Sequence, residues 1–218
     1  MIRVVVVDDE ALLRAGIVRL VDSADDLAVV GQGADGRDAV RLVRELVPDV
    51  LLVDMQMPVM DGLDATVTVH RERPTTAVVV LTSFLSDEYV LPALRAGAAG
   101  YLLKDSTPDE LHHGIRAAVA GDAILSPAVA QLLLHAAAVD EAPGRREDAR
   151  RRLAGLAPQE REVVAALAEG LSNAAIGRRL FLAESTVKAY LANAMAKLGT
   201  TNRTQTAILA HEGGIDHV

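Results

Sequence analysis

Asp8 and Asp9 directly follow the apolar run Val4-Val5-Val6-Val7, and Asp54 directly follows Val50-Leu51-Leu52-Val53. Each pattern reads as a buried parallel strand that ends in acid. Ligand sites of open α/β sheets lie beyond the carboxyl ends of the strands, so the three carboxylates are expected to converge there. Carboxylates held close together repel unless a cation joins them, and an all-oxygen donor set suits a hard ion such as Mg²⁺. Two more strand ends fit the same site: Val78-Val79-Val80-Leu81 ends at Thr82, and Gly100-Tyr101-Leu102-Leu103 ends at Lys104. An acid pair, a lone acid, a hydroxyl and an ammonium together describe a carboxylate that accepts a phosphoryl group, with its metal and its charge clamp.

These side chains need a scaffold that brings strand ends together. Over the first 120 or so residues, strand and helix patterns alternate. Strands are expected near 2–7, 27–31, 49–53, 77–81 and 100–103, and helices near 10–22, 36–46, 63–72, 87–96 and 108–120. The fold class is therefore α/β, a five-stranded doubly wound parallel sheet of flavodoxin-like type. Gly121-Asp122 stops the last of these helices, and Pro127 can open a short helix, Ala128 to Ala138. Residues 139–152, VDEAPGRREDARRR, read as a polar, protease-sensitive linker. From Leu153 onward every segment looks helical. Pro158 and Glu160 open one helix that Gly170 ends, Ser172 caps a second over 173–180, a third spans 184–198 and a fourth 203–212. The second and third have the spacing of a helix-turn-helix. The expected domains are thus 1–122, a linker at 123–152, and a smaller all-α domain at 153–218.

Composition narrows the function classes. The chain has 218 residues and no cysteine, which excludes disulfides, thiolate metal sites and a cysteine nucleophile. Its start is too quickly acidic for a signal peptide, and no apolar run approaches the ~18–20 residues of a membrane-spanning helix, so a cytoplasmic protein with no membrane partner is expected. The formal net charge of −8 is unevenly spread: residues 1–125 carry −9 and residues 126–218 carry +1. The front half suits a cation, whereas charge alone does not announce nucleic-acid binding in the back half.

Two enzyme readings compete with a phosphoryl-accepting switch. Gly31, Gly33 and Gly36 match the G-x-G-x-x-G dinucleotide fingerprint, follow a strand and precede a helix. That motif belongs to the first βα turn, however, and here it follows the second strand; it also leaves Asp8, Asp9, Thr82 and Lys104 without a role. A flexible turn explains the glycines otherwise. Phosphatases of the haloacid-dehalogenase class use Asp-x-Asp, with the second acid as general acid/base; here the segment is Asp54-Met55-Gln56, which lacks it. The chain is accordingly not expected to be an enzyme.

The segments VVVVDDE, VDMQMPVMDG, LTS and YLLKD resemble the receiver domain of two-component response regulators. Residues 156–210, from LAPQEREVV to TQTAILA, resemble the tetrahelical DNA-binding domain of the NarL/LuxR class. The resemblance implies that Asp54 accepts phosphoryl from a phosphohistidine of a sensor histidine kinase. It implies that Asp9, Asp54 and the backbone carbonyl of Gln56 ligate Mg²⁺, with Asp8 acting through water. Thr82 and Lys104 would meet the phosphoryl oxygens, and Tyr101 would be the aromatic switch. Promoter DNA, a homodimer formed on activation and RNA polymerase as a further candidate partner follow from the same resemblance. A regulator of this architecture working by protein or ligand binding without phosphorylation is the alternative, against which the complete acid pocket argues.

On the third C-terminal helix, Val187, Leu191, Ala194 and Leu198 form an apolar stripe, which leaves Ala189, Ala192, Asn193 and Ala196 outward with Lys188 on the flank. The DNA-contacting residues expected from the resemblance are Lys188, Ala189, Ala192, Asn193, Lys197 and Arg203. Departures from the family pattern are Pro92 inside the fourth receiver helix, Tyr190 in place of a histidine, and alanines at the caps Ala157 and Ala183. Ala175, which leaves the Ser172 capping box open, and Gly177 inside a helix are further departures.

Overall fold

The computed structural model describes residues 1–83, 87–121, 124–125 and 143–215. The expected helix from Ala128 to Ala138 lies outside the described residues. The chain divides into two compact units, Met1–Leu133 and Leu134–Val218.

The first unit alternates strand and helix: β1 (Ile2–Val7), α1 (Ala11–Asp22), β2 (Leu27–Gly33), α2 (Gly36–Leu46), β3 (Val50–Asp54), α3 (Gly62–Glu72), β4 (Ala77–Thr82), α4 (Asp87–Arg95), β5 (Gly100–Leu103), α5 (Pro108–Ala120) and β6 (Ile124–Leu125). Strand order in the sheet is β2-β1-β3-β4-β5-β6, all parallel. That is the flavodoxin-like order extended by one strand. The sixth strand was not expected; it pairs Ile124 with Gly100 and Leu125 with Tyr101, and two residues are too few to show a period.

Both faces of the sheet are covered, so the central strands are apolar on both sides. Val4, Val6, Val50, Leu52, Val79 and Leu81 pack with Ile17 and Val21 of α1 and Leu111 and Ile115 of α5. Val5, Val7, Leu51, Val53, Val78 and Val80 alternate with them and are likewise buried, as are Val43 of α2, Val69 of α3 and Leu94 of α4. Helix α4 continues through Pro92, and Ala96 N donates to Pro92 O at 2.8 Å.

The three glycines of the apparent nucleotide fingerprint have a packing explanation. Gly31 and Gly33 lie within strand β2, where a Cβ would come within 2.6 Å of Leu46 and Asp38 of α2. Gly36 donates its N–H to Met60 O at 3.0 Å, and a Cβ there would sit 2.7 Å from that oxygen. Close approach accounts for all three.

The second unit holds α6 (Pro143–Ala154), α7 (Pro158–Ala168), α8 (Asn173–Leu180), α9 (Glu184–Leu198) and α10 (Arg203–Glu212). The last four match the expected segments. Residues 143–152, expected as linker, are helical instead. Ala149 and Leu153, one turn apart, are 3% and 2% exposed and join Val164, Ala194, Leu198 and Leu209 in one core. Gly213 makes room for them, since a Cβ there would overlap Leu153. Arg146, Arg150, Arg151 and Arg152 are exposed. Gly177 likewise answers to geometry. It departs from the family pattern, and a Cβ at that position would lie 2.7 Å from Leu182 O, where the turn into α9 folds back and Leu182 N donates to Gly177 O.

Candidate functional site

Parallel register places the chemistry at the carboxyl edge of the sheet. Val7 pairs with Val53, Asp54 with Leu81, and Thr82 with Leu103. Asp8, Asp54, Thr82 and Lys104 therefore end four neighbouring strands. Lys104 N donates to Thr82 O at 2.8 Å, which anchors the start of the β5–α5 loop.

Lys104 Nζ lies 2.8 Å from Asp8 Oδ2 and 3.0 Å from Asp54 Oδ2, with all three side chains less than a tenth exposed. The contact to Asp8 Oδ2 is an ion pair outside hydrogen-bond alignment, so this buried oxygen has no aligned donor. Asp8 Oδ1 accepts from Glu10 N at 2.9 Å, and Arg14 donates to Asp8 O, a contact the sequence did not suggest. Asp9 is exposed, and its carboxylate completes a set of three oxygens, with those of Asp8 and Asp54, all within 4.8 Å of one another. Two oxygens each ~2.1 Å from one Mg²⁺ lie at most about 4.2 Å apart. Only a small closure separates this set from such an ion, and the unaligned Asp8 oxygen is chemically suited to it. Gln56 is exposed at the rim, two residues beyond Asp54.

Burial pushes the Asp54 carboxyl above the ordinary range, more than Lys104 pulls it down. For Lys104 burial acts downward, but the Asp8 and Asp54 carboxylates outweigh it and hold the ammonium above its usual value. The pocket therefore keeps a cation beside a carboxylate that is costly to ionise. Tyr101 is fully buried, and burial raises its phenol while the neighbouring Thr82 side chain opposes that.

The loop after Asp54 is held tightly. Gly62 N donates to Met55 O at 2.9 Å, and a Cβ at Gly62 would overlap the Asp54 carbonyl. Asp61 caps α3 by accepting from Asp64 N. Val59, in the same loop, has φ 69°, left-handed backbone that a β-branched residue rarely adopts.

In the second unit, Ser172 Oγ caps α8 by accepting from Ala175 N at 3.2 Å, and the left-handed residues Phe181 and Gly199 end α8 and α9. The stripe of α9 is buried as the helical period requires: Val187, Leu191, Ala194 and Leu198 are each at most 5% exposed. Lys188, Ala189, Ala192, Asn193 and Ala196 are exposed together on the other side. Lys188 pairs with Glu184 at 3.2 Å, an exposed pair of little energetic weight.

Of the other two expected DNA contacts, Arg203 is drawn inward, whereas Lys197 stays exposed on α9 in an ion pair. Arg203 is 7% exposed and donates to Leu171 O at 2.7 Å and Asn173 Oδ1 at 3.2 Å, so its guanidinium ties α10 to the start of α8. Lys197 Nζ lies 2.7 and 2.9 Å from the Glu160 carboxylate, which also accepts from Ala157 N at 2.8 Å. That bond is half of a capping box; the other half is missing because Ala157 has no side-chain acceptor. Ala183 makes no cap bond at all. Ala183→Ser should add about 0.5–2 kcal/mol to the second unit, read as a higher melting temperature of that unit in the full chain; an unchanged melt would mean the first turn of α9 needs no side-chain cap.

Comparison with known proteins agrees with both units. Residues 4–116 match the family model of the response regulator receiver domain, and residues 154–210 that of the bacterial regulatory proteins of the luxR family. The chain is 38% identical to the transcriptional regulatory protein LiaR of Bacillus subtilis over 219 residues, spanning 97% of each. It is similar to the crystal structure of the response regulator ChrA of a heme-sensing two-component system, with 32% identity, a TM-score of 0.55, and coverage of 99% of this chain and 98% of that one. A structure of two RcsB dimers bound to two parallel DNAs shares 25% identity at a TM-score of 0.56, covering 96% of each chain. The chain thus belongs to the DNA-binding transcriptional response regulators of two-component systems, in which a receiver domain precedes a LuxR-type helix-turn-helix.

Proposed function

We propose that Asp54 is the phosphoacceptor of a sensor histidine kinase, and that its phosphorylation switches binding of the second unit to promoter DNA. The observation that carries this is the Lys104 ammonium within 3.0 Å of Asp54 at the meeting point of four strand ends. An Asp54 oxygen attacks phosphorus, the bond from phosphorus to the kinase imidazole nitrogen breaks, and that nitrogen keeps the electron pair. Asp8, Asp9, Asp54 and the Gln56 carbonyl would hold Mg²⁺, which when bound neutralises the phosphoryl oxygens and orients them for in-line transfer. Lys104 is placed to transfer one of its two carboxylate contacts to the incoming dianion, and Thr82 offers a hydroxyl at the next strand end. Tyr101, buried behind Thr82, is the side chain whose packing registers that movement.

In the second unit, α9 lies in the major groove. Lys188 and Asn193 read base edges and the outward alanine methyls meet thymine methyls. A dimer formed on activation supplies affinity through two half-sites; the RcsB relative is described as dimers bound to DNA. A regulator that binds promoter DNA works in the cytoplasm, where that DNA and RNA polymerase are found; no helix among the described residues is long and apolar enough to cross a membrane.

Incubation with acetyl phosphate and Mg²⁺ should add one phosphoryl group by intact mass and tighten binding to promoter fragments. Asp9→Ala should retain cooperative unfolding, since Asp9 is exposed and its removal relieves repulsion, yet weaken Mg²⁺ binding more than about tenfold by calorimetry. Loss of folding in that variant would make the acids structural and remove the metal assignment.

A further inference from the structure

A groove-reading helix needs phosphate contacts to set its register on the duplex. The helices from Leu153 onward are short of cations for this. Residues 153–218 carry six bases and six acids. Lys188, Lys197 and Arg179 each share their charge with a neighbouring acid and Arg203 is buried among its own acceptors, which leaves Arg161 and Arg178. Helix α6 supplies what they lack: five arginines, at 145, 146, 150, 151 and 152, against Glu147 and Asp148, a net of +3 in residues 143–152.

This helix is fixed to the DNA-binding unit by Ala149 and Leu153. Arg152 Nη1 donates to Leu198 O at 3.3 Å, which joins α6 to the last residue of α9. Leu198 stands only about 7.5 Å along the helix axis from Asn193, at 1.5 Å per residue. Arg146, Arg150 and Arg151 are exposed; among the described residues no acid pairs with Arg146 or Arg150, and Arg151 reaches Asp148 only at 3.3 Å with a side chain 70% exposed. Glu147 is also exposed and Asp148 pairs with Arg151 and Arg152, but guanidinium groups outnumber the acids here, and guanidinium suits phosphate.

We propose that α6 is a second DNA-contacting element, whose arginines hold the sugar–phosphate backbone flanking the groove read by α9 without reading sequence. The inference rests on the DNA-binding reading of α9 and extends the contact surface N-terminally beyond the residues matched by the luxR family model. The test uses the full chain, phosphorylated, with a mixed-sequence duplex, and follows affinity by fluorescence anisotropy between 50 and 200 mM salt. R146Q/R150Q/R151Q should lower the slope of log K against log salt by about 2–3 and weaken binding at least about tenfold at low salt. Its melting temperature should not change, and R146K/R150K/R151K should keep the wild-type slope. A Gln variant with the wild-type slope and affinity overturns the inference. So does a Gln variant that binds more tightly than wild type before phosphorylation, which would give the arginines to the acidic receiver. If the wild type itself binds no duplex, the reading of α9 fails first.

Discussion

Asp54→Asn should take up no phosphoryl group: after acetyl phosphate and Mg²⁺ its intact mass stays that of the unmodified chain, while the wild type gains one group. Asp9 is exposed and belongs to the cluster of three carboxylates proposed to hold Mg²⁺, and Asp8 has one oxygen on Glu10 N and the other against Lys104. Neither is free to serve as a second acceptor, and an amide is not a nucleophile. The same variant should melt higher than wild type at pH 7 without metal. Burial raises the Asp54 carboxyl above 3.8, so the folded state binds the proton more tightly than the unfolded chain does. The ionised group then costs stability, fully above the raised value and not at all below the ordinary one. Lys104 is already counted in that balance and keeps Asp8 as partner. The gap between variant and wild type, a few degrees at neutral pH, should close as pH falls through that window. Phosphorylation of the wild type should decline over the same window, as the nucleophile protonates. Phosphoryl uptake by Asp54→Asn would move the acceptor elsewhere, and a lower melting temperature would make Asp54 a structural acid.

The pocket was legible because parallel strands convert sequence into position. Four apolar runs ending in Asp8, Asp54, Thr82 and Lys104 must place those residues along one edge once the strands share a register. The outward face of α9 was legible for a similar reason, since four buried positions at helical spacing leave the rest exposed. Residues whose role is set by a distant partner were not legible. Arg203 looks like a surface cation until Leu171 O and Asn173, some 30 residues away in the chain, are brought against it. Gly177 looks like a weak point in a helix until Leu182 O folds back onto it. Helix α6 was hidden because charges dominate PGRREDARRRLA, and its apolar signal is only Ala149 and Leu153, one turn apart. Tertiary burial of two side chains overrode a polar local pattern.

Leu153→Ala in the full chain should destabilise the DNA-binding unit by about 2–4 kcal/mol, the usual cost of emptying a fully buried leucine site. Leu153 is 2% exposed and, beside Ala149, fills the space that Gly213 leaves open. For a unit of this size the melting temperature should fall by at least about 8 °C. Arg150→Gln, on the exposed side of the same helix, should leave the melt unchanged. The prediction also fixes where the module begins. A fragment from Pro143 onward keeps Ala149 and Leu153 in the core, whereas a fragment starting at Leu153 loses Ala149 and leaves Leu153 on a frayed end. The longer fragment should therefore melt well above the shorter one, and the short one should be marginal, lacking side-chain cap bonds from Ala157 and Ala183 as well. If 153–218 melts within a degree or two of 143–218, α6 is an appendage, and the boundary belongs at Leu153 as its polar sequence suggests.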